Sequence, residues 1–507
     1  MGGYINRHHL LESIESRSFD LLVIGGGIVG AGIAAAAAQH GLAVALVDRR
    51  DFGGGTSSAS SKLIHGGLRY LRLGDVRLVR EAHEERRILM HTVAPHLVER
   101  LPFLLPLYET GPYRPWMVQT GIAVYSTLAR ARLNGLVGAE RARGLVPDLR
   151  VARLRRCALY EDARTHDARL TLANVRAAAE AGATVLNYAE VVELRLERGR
   201  IAGATVAIDG RSVEVRARAV VNAAGPWLDA VRRLEDRRAA ASIRLSKGVH
   251  VLLEPETQWG AALTIPHDKV RVSFAVPWEG MLLLGTTDTL YDGDPDAVAV
   301  AAADVRQVLE EAAAAVEGIR PERVRASFAG LRVLPGGDGA TASARRETVY
   351  TRGPGGMLSV AGGKLTTYRR IALDALAHLR GDLGLHRLDR RPRPLPGALG
   401  LDRVAFPDEL EPATRSHLLH LYGSLAPEVL EPAAEDASLL EPVVAGAPEL
   451  AAQVVYAARS EWALTPDDVL RRRTTLALRG HDAGEARTRV ESLLASHERE
   501  LPVAGQP

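Results

Sequence analysis

The chain has 507 residues, 47% apolar and 25% charged, with a formal net charge of +3. That length needs two or three hydrophobic cores rather than one, and so small a net charge supplies no global field to gather nucleic acid. A single cysteine, Cys157, excludes an internal disulfide and a thiolate metal cluster, so no metal site is expected.

The opening MGGYINRHHLLESIESRSFD holds no apolar stretch of signal-peptide length, which points to a cytoplasmic protein. Leu21 to Ala38, LLVIGGGIVGAGIAAAAA, is uncharged and long enough to span a bilayer, but five glycines argue against a lipid-exposed helix. The same stretch reads better as strand, tight turn and helix. LLVI is a short buried strand, an alanine-rich helix runs to about His40, Gly41 stops it, and Ala43 to Asp48 form the next strand. Between them Gly25, Gly27 and Gly30 match G-x-G-x-x-G in the context that makes this pattern specific for a dinucleotide. Gly25 permits the turn, Gly27 admits a pyrophosphate, and Gly30 lets helix and strand pack closely. The helix N-terminus offers free N–H groups to the pyrophosphate, and Asp48 stands where a carboxylate accepts a ribose hydroxyl. The motif alone does not separate NAD from FAD, and no second complete copy occurs.

Next comes TSSASSKLIHGGLRYL, dense in donors that suit a pyrophosphate: Thr56, Ser57, Ser60, Ser61 and Lys62. His65 and Gly66, followed by Gly67, allow close backbone approach to a flavin edge. Further on, Asp167 to Ala181 reads as a helix with an aspartate N-cap and Gly182 at its stop. TVLNY reads as a strand, and so does RAVVNAAG ahead of a Pro226-Trp227 turn. From about Gly384 to Gly400 a proline- and arginine-rich stretch reads as an exposed linker. Residues 395–507 show helical apolar spacing and read as a small helical domain.

The motifs GGGIVGAG, TSSASSKLIHGGLRYL, VVNAAGPW, GTTD and GGKLTTYR, in this order, resemble the FAD-dependent glycerol-3-phosphate dehydrogenases. The resemblance runs from about residue 18 to 385 and continues more weakly through DDVLRRRTTLALR, Asp467 to Arg479. Val333 and Thr348 depart from it, where many relatives carry proline and histidine. It implies a mixed α/β (α+β) chain. A Rossmann-type FAD-binding domain over 18–385 would be interleaved with an antiparallel substrate domain, about 93–160 and 240–345. A helical C-terminal domain would follow over 395–507.

It also implies FAD, held non-covalently by the residues above together with Gly225, Gly363, Lys364, Leu365 and Thr366. The implied reaction oxidises sn-glycerol 3-phosphate to dihydroxyacetone phosphate, with hydride passing to the flavin. Arginine forks suit phosphate because they bind it bidentately and stay charged. By the resemblance Arg332 stands near the reacting carbon, and Arg69, Tyr70, Arg346 and Lys364 hold substrate. His250 in LSKGVHVLL is either the proton acceptor, since imidazole titrates near neutrality, or a packed structural histidine. Asp288 either orders its loop or contacts a ligand.

With no second nucleotide motif, the onward acceptor is expected to be a quinone; oxygen, as in an oxidase, is the alternative. A flavin-binding sensor or scaffold would leave the motif arginines without purpose. A lipid-dissolved acceptor implies peripheral contact with the inner face of the cell membrane, an anionic surface. Arg471, Arg472 and Arg473 either contribute to it or form an exposed basic face. A homodimer is left open.

Overall fold

The computed structural model describes residues 5–67, 75–128, 135–268, 271–336 and 348–500. Its first sheet forms where the sequence runs apolar on both faces. Strand Ser18–Ile24 lies parallel between Arg211–Asn222 and Val44–Val47, with Val23 opposite both Val221 and Leu46. Thr184–Leu186 extends this sheet on one side and Leu358–Ala361 on the other, again in parallel. Val349–Arg352 closes the latter edge antiparallel. Ala189–Glu197 and Arg200–Ile208 fold back antiparallel onto Arg211–Asn222.

Helix Ile28–Gln39 packs on the sheet in one core with helices Asp167–Glu180 and Tyr368–His378. Small side chains permit that approach: a Cβ on Gly32 would sit 2.9 Å from the Tyr368 ring. The uncharged run Leu21 to Ala38 is thus divided between a strand and a buried helix, and no helix among the described residues is long and apolar enough to cross a membrane.

Among the described residues the second sheet has ten strands, drawn from residues 63–165 and 243–335. At one end of it lies the long antiparallel pair Ile243–Leu253 and Val324–Pro335, which sets Ser246 opposite Arg332 and His250 opposite Phe328. The sheet is not wholly antiparallel, because Ala262–Pro266 runs parallel to Val98–Tyr108. The short strand Leu63–Ile64, directly after the serine-rich loop, joins this sheet through Arg164 and Ala163. The chain therefore passes from one sheet to the other at that loop.

Helices Pro412–Tyr422, Ala426–Leu430, Ala451–Ser460 and Gly484–Glu500 make up the C-terminal part, over two small cores of their own.

Four further sequence readings change. Asp167 is the first helical residue; the cap is His166, whose Nδ1 accepts the Arg169 N–H at 3.3 Å. The Asp167 carboxylate is drawn instead to Lys62 and Ser60. The strand in TVLNY stops at Leu186, because the buried Asn187 amide turns to Asp51 and the Trp462 carbonyl. The proline-rich stretch is docked rather than free. Leu395 is buried and its N–H donates to the Val93 carbonyl at 2.8 Å, while the Asp389 N–H donates to His40 Nε2 at 2.8 Å.

The fourth concerns Arg471, Arg472 and Arg473, which form no exposed basic face. Arg473 is wholly buried against Asp51, Arg472 is mostly covered between Asp51 and Asp468, and only Arg471 is half-exposed. A carboxylate buried inside the fold draws the run inward.

Candidate active site

A cavity of about 410 Å³ opens where the glycine turn, the serine-rich loop and the second sheet meet. Gly25 adopts φ +106°, and a Cβ there would meet the Ala223 carbonyl oxygen at 2.6 Å, so only glycine makes this turn. Gly27 caps the helix beginning at Ile28 and lines the cavity. Gly30 does not line it; a Cβ there would fall 1.8 Å from the Gly25 carbonyl oxygen, which makes it the close-packing glycine. Asp48 lines the cavity, accepts the N–H of Gly26 at 2.6 Å and of Arg50 at 2.8 Å, and is pushed up to about 6 by burial.

The serine-rich loop divides its work. Thr56, Ser57, Ser60 and Ser61 all line the cavity. Ser57 Oγ accepts the first N–H of the helix, from Ile28, at 2.9 Å. The Thr56 hydroxyl donates to the Leu331 carbonyl at 2.6 Å, tying the loop to the second sheet. Ser60 donates to Asp167 from its hydroxyl and its backbone N–H, at 2.7 and 3.0 Å.

Lys62 departs from the expectation. Its ammonium is buried 2.6 Å from Asp167 Oδ1 and 4.9 Å from the Trp278 ring centroid, and the residue does not line the cavity. Its charge is consumed in holding the loop, so it offers no donor to a pyrophosphate. Gly66 also lies off the cavity: its N–H donates to the buried Asp162 at 3.1 Å, and a Cβ would strike His83 and Tyr125. His65 does line the cavity, and its N–H donates to Thr366 Oγ1 at 3.1 Å, joining the loop to the GGKLTT segment. Gly225, Gly363, Lys364, Leu365 and Thr366 complete that wall.

Opposite stand Arg332 and His250, both lining the cavity. Arg332 donates to Asp288 at 3.1 Å, to Ser246 at 3.3 Å and to Thr286 at 3.0 Å. Asp288 also takes the Ser246 hydroxyl, so this aspartate orients the guanidinium. Gly248 makes room for it, since a Cβ there would lie 2.8 Å from an Arg332 nitrogen. His250 stacks on Phe328, with centroids 4.9 Å apart, and its Nε2 lies 2.9 Å from Ser61 Oγ. Burial first, then the charges of Arg332 and Lys62, hold the imidazole well below its ordinary value and therefore neutral. Arg69, Tyr70 and Arg346 lie outside the described residues.

Ser246, Thr286 and Gly248 serve this site without having been singled out in the sequence, and Asp167 serves it although read only as a helix cap. Thr286 sits inside GTTD and Gly248 inside LSKGVHVLL, so local motifs carried a signal for both. The pairing of Asp167 with Lys62 spans 105 positions and leaves no local trace.

A family profile described as FAD dependent oxidoreductase matches residues 20–369, and one described as the C-terminal domain of alpha-glycerophosphate oxidase matches 359–499. Glycerol-3-phosphate dehydrogenase 2 of Mycobacterium tuberculosis is 37% identical over 491 residues, covering 92% of this chain and 82% of the relative. Glycerol-3-phosphate dehydrogenase of Synechocystis sp. is 33% identical over 507 residues, covering 93% and 91%. Among solved structures, the glycerol-3-phosphate dehydrogenase from Bacillus halodurans complexed with FAD aligns over 100% of both chains with TM-score 0.74 and 27% identity. An L-alpha-glycerophosphate oxidase from Mycoplasma pneumoniae with FAD bound covers 75% of this chain and 99% of its own, with TM-score 0.57. At 17% identity that last likeness is one of fold.

Proposed function

Because this chain belongs to the FAD-dependent glycerol-3-phosphate dehydrogenase family, we infer that Arg332, His250 and Ser61 carry the oxidation and that a quinone receives the electrons. The protein is a flavoprotein that oxidises glycerol 3-phosphate. Removing two hydrogens across the secondary carbinol leaves dihydroxyacetone phosphate. The observation that carries the residue assignment is the convergence of Arg332, His250, Ser61 and Lys364 on one cavity with the glycine turn.

That cavity fits FAD by the chemistry of its walls. A crowded glycine turn heads a helix at the cavity wall, Asp48 offers a part-buried carboxylate, and hydroxyls line the path between. When bound, the flavin supplies the acceptor for the hydride leaving carbon.

The protein's own residues supply the rest. Arg332, kept in place by Asp288, Ser246 and Thr286, faces the carbinol oxygen and stabilises charge as its proton leaves. The neutral imidazole of His250 is the terminal proton acceptor. Its Nδ1 is buried and its Nε2 is engaged by Ser61, so the proton passes to Ser61 Oγ as the serine passes its own to Nε2. Lys364, with Arg69, Tyr70 and Arg346, holds the phosphate away from the reacting carbon.

A quinone acceptor calls for contact with a membrane surface, and no helix among the described residues is long and apolar enough to cross it. The helix Pro115–Leu128 suits such contact, since it exposes Trp116, Met117 and Val124 on its outer side. The test is anaerobic addition of glycerol 3-phosphate, which bleaches the flavin and yields dihydroxyacetone phosphate. A quinone analogue then restores the colour faster than oxygen does. Hydrogen peroxide in proportion to substrate consumed would instead make this an oxidase.

A further inference from the structure

The arginine run near the C-terminus ends in a contact of unusual burial. Arg473 donates to both oxygens of Asp51, at 2.6 and 2.7 Å, and to the Glu461 carbonyl at 2.6 and 2.9 Å. Arg472 reaches the same carboxylate and also Asp468, the latter at 2.7 Å. The Asn187 amide joins, donating to Asp51 at 3.2 Å and to the Trp462 carbonyl at 2.7 Å. Against the cost of burial, Arg473 and Arg472 hold the Asp51 carboxyl below the usual carboxylate range.

Asp51 lies three residues beyond Asp48, in the turn that also carries Phe52 and Gly53. This turn bears directly on the glycine motif. A Cβ on Gly26 would fall 2.4 Å from Phe52 Cδ1, so the phenyl ring lies against that glycine. The Gly53 N–H donates to the Gly26 carbonyl at 3.0 Å, and the Gly26 N–H donates to Asp48. Trp462 braces Phe52, edge to face, with ring centroids 5.7 Å apart. Three side chains of the C-terminal domain, Arg472, Arg473 and Trp462, therefore touch the residues that shape the dinucleotide turn.

We propose that the C-terminal domain is a clasp on the flavin site, with Arg473 acting through Asp51 and Trp462 acting through Phe52 to hold the Asp48–Gly53 turn against Gly26. Both are positioning residues, and what they set is how tightly FAD is retained. The inference rests on the cavity being the flavin site, and its test needs no turnover.

A second buried ion pair supplies the control. Arg169, on helix Asp167–Glu180, donates to both oxygens of Glu461 at 2.7 Å. It fastens the same C-terminal domain with similar burial, but to a helix and not to the Asp48–Gly53 turn. A purely structural role predicts equal behaviour of the two pairs. The clasp predicts different behaviour.

The experiment compares Asp51→Asn with Arg473→Met against Glu461→Gln with Arg169→Met, so that neither double variant leaves a lone buried charge. Flavin-stripped protein is titrated with FAD by the quenching of flavin fluorescence, and thermal midpoints are recorded alongside. The first pair should raise the dissociation constant for FAD about 10-fold or more, and the second should change it less than about twofold for a comparable loss of thermal midpoint. Trp462→Leu, which removes no charge, should raise it about 3-fold and keeps the comparison if the first double variant does not fold. An FAD affinity that falls equally in both double variants, in step with the thermal midpoint, overturns the clasp. So does an unchanged affinity in the first pair and in Trp462→Leu.

Discussion

His250 Nε2 lies 2.9 Å from the hydroxyl oxygen of Ser61, while the ring's other nitrogen is buried with no hydrogen-bond partner among the described residues. Gly285 and Phe328 fix the ring between them: a Cβ on Gly285 would meet His250 Cδ2 at 2.7 Å, and Phe328 stacks at 4.9 Å. The imidazole therefore has little freedom to swing toward a substrate. In the proposed mechanism, its contact with the reacting hydroxyl therefore runs through the serine.

Ser61→Ala should lower the rate of flavin reduction at saturating glycerol 3-phosphate by about 100-fold, within the usual contribution of a positioned proton acceptor. The KM should move little, because the serine is assigned no share of phosphate binding. Ser61→Thr, which keeps the hydroxyl, should recover most of the rate. Stopped-flow reduction of both variants checks this, with bound FAD quantified first. A full rate in Ser61→Ala would return His250 to a structural role.

Much of the dinucleotide half was legible in the sequence because its signals are local. The glycine turn, the buried strand LLVI and the alanine-rich helix each declare themselves within a few residues. What escaped depends on partners far along the chain. Lys62 reads as a phosphate donor until Asp167, 105 positions away, takes its charge. The arginine run reads as an outward basic face until Asp51, 422 positions away, turns Arg473 inward. Charge in a sequence gives no direction; only the fold shows which way a guanidinium points.

The histidine at position 420 ties the C-terminal helix Pro412–Tyr422 to the second sheet. Its Nδ1 lies 3.0 Å from Glu99 and its Nε2 lies 3.1 Å from Glu279. Burial opposes its charging, yet the Glu279 and Glu99 carboxylates push it up to about 10. A histidine raised above its unfolded value of 6.5 gives stability that is complete below pH 6.5 and is lost as pH rises through 10. Thermal midpoints measured from pH 6.5 to 10 should therefore fall, and His420→Gln should flatten that slope. The variant should also be weaker at pH 6.5, since the mostly buried Glu279 loses its nearest cation while Glu99 keeps Arg164. An unchanged slope in the variant would assign the alkaline loss to other groups.

Contact with a membrane should depend on the helix Pro115–Leu128 and not on the C-terminal arginines. Trp116 is 66% exposed and Met117 52% exposed on that helix, whereas Arg473 is wholly buried. Replacing both, Trp116→Ser with Met117→Ser, should abolish most co-sedimentation with vesicles containing anionic lipid. Turnover with a water-soluble dye should survive. Equal sedimentation of parent and variant at low salt, where surface attraction is strongest, would place the contact elsewhere.

A phosphate anchor and a residue that acts on the chemical step should respond differently to substitution. Lys364, in the GGKLTT segment, lines the cavity, and the proposed anion-binding set also includes Arg346, which lies outside the described residues. A charge-assisted hydrogen bond contributes about 1.5–3 kcal/mol, so Lys364→Met or Arg346→Ala should weaken apparent binding of glycerol 3-phosphate by roughly 10- to 100-fold. Unphosphorylated glycerol already lacks the phosphate and should lose little in either variant. Arg332 should behave otherwise. It is held by Asp288, Ser246 and Thr286 before any substrate arrives, so its orientation is set in advance and its contribution grows as the carbinol proton leaves. Arg332→Lys keeps the charge but not the fork, and should lower flavin reduction at saturating substrate by about 100-fold, for glycerol and glycerol 3-phosphate alike. Stopped-flow reduction across substrate concentrations resolves affinity from rate in each variant. If Lys364→Met and Arg346→Ala penalise both substrates equally, neither residue anchors the phosphate, and the anion site must lie on other cations around the cavity.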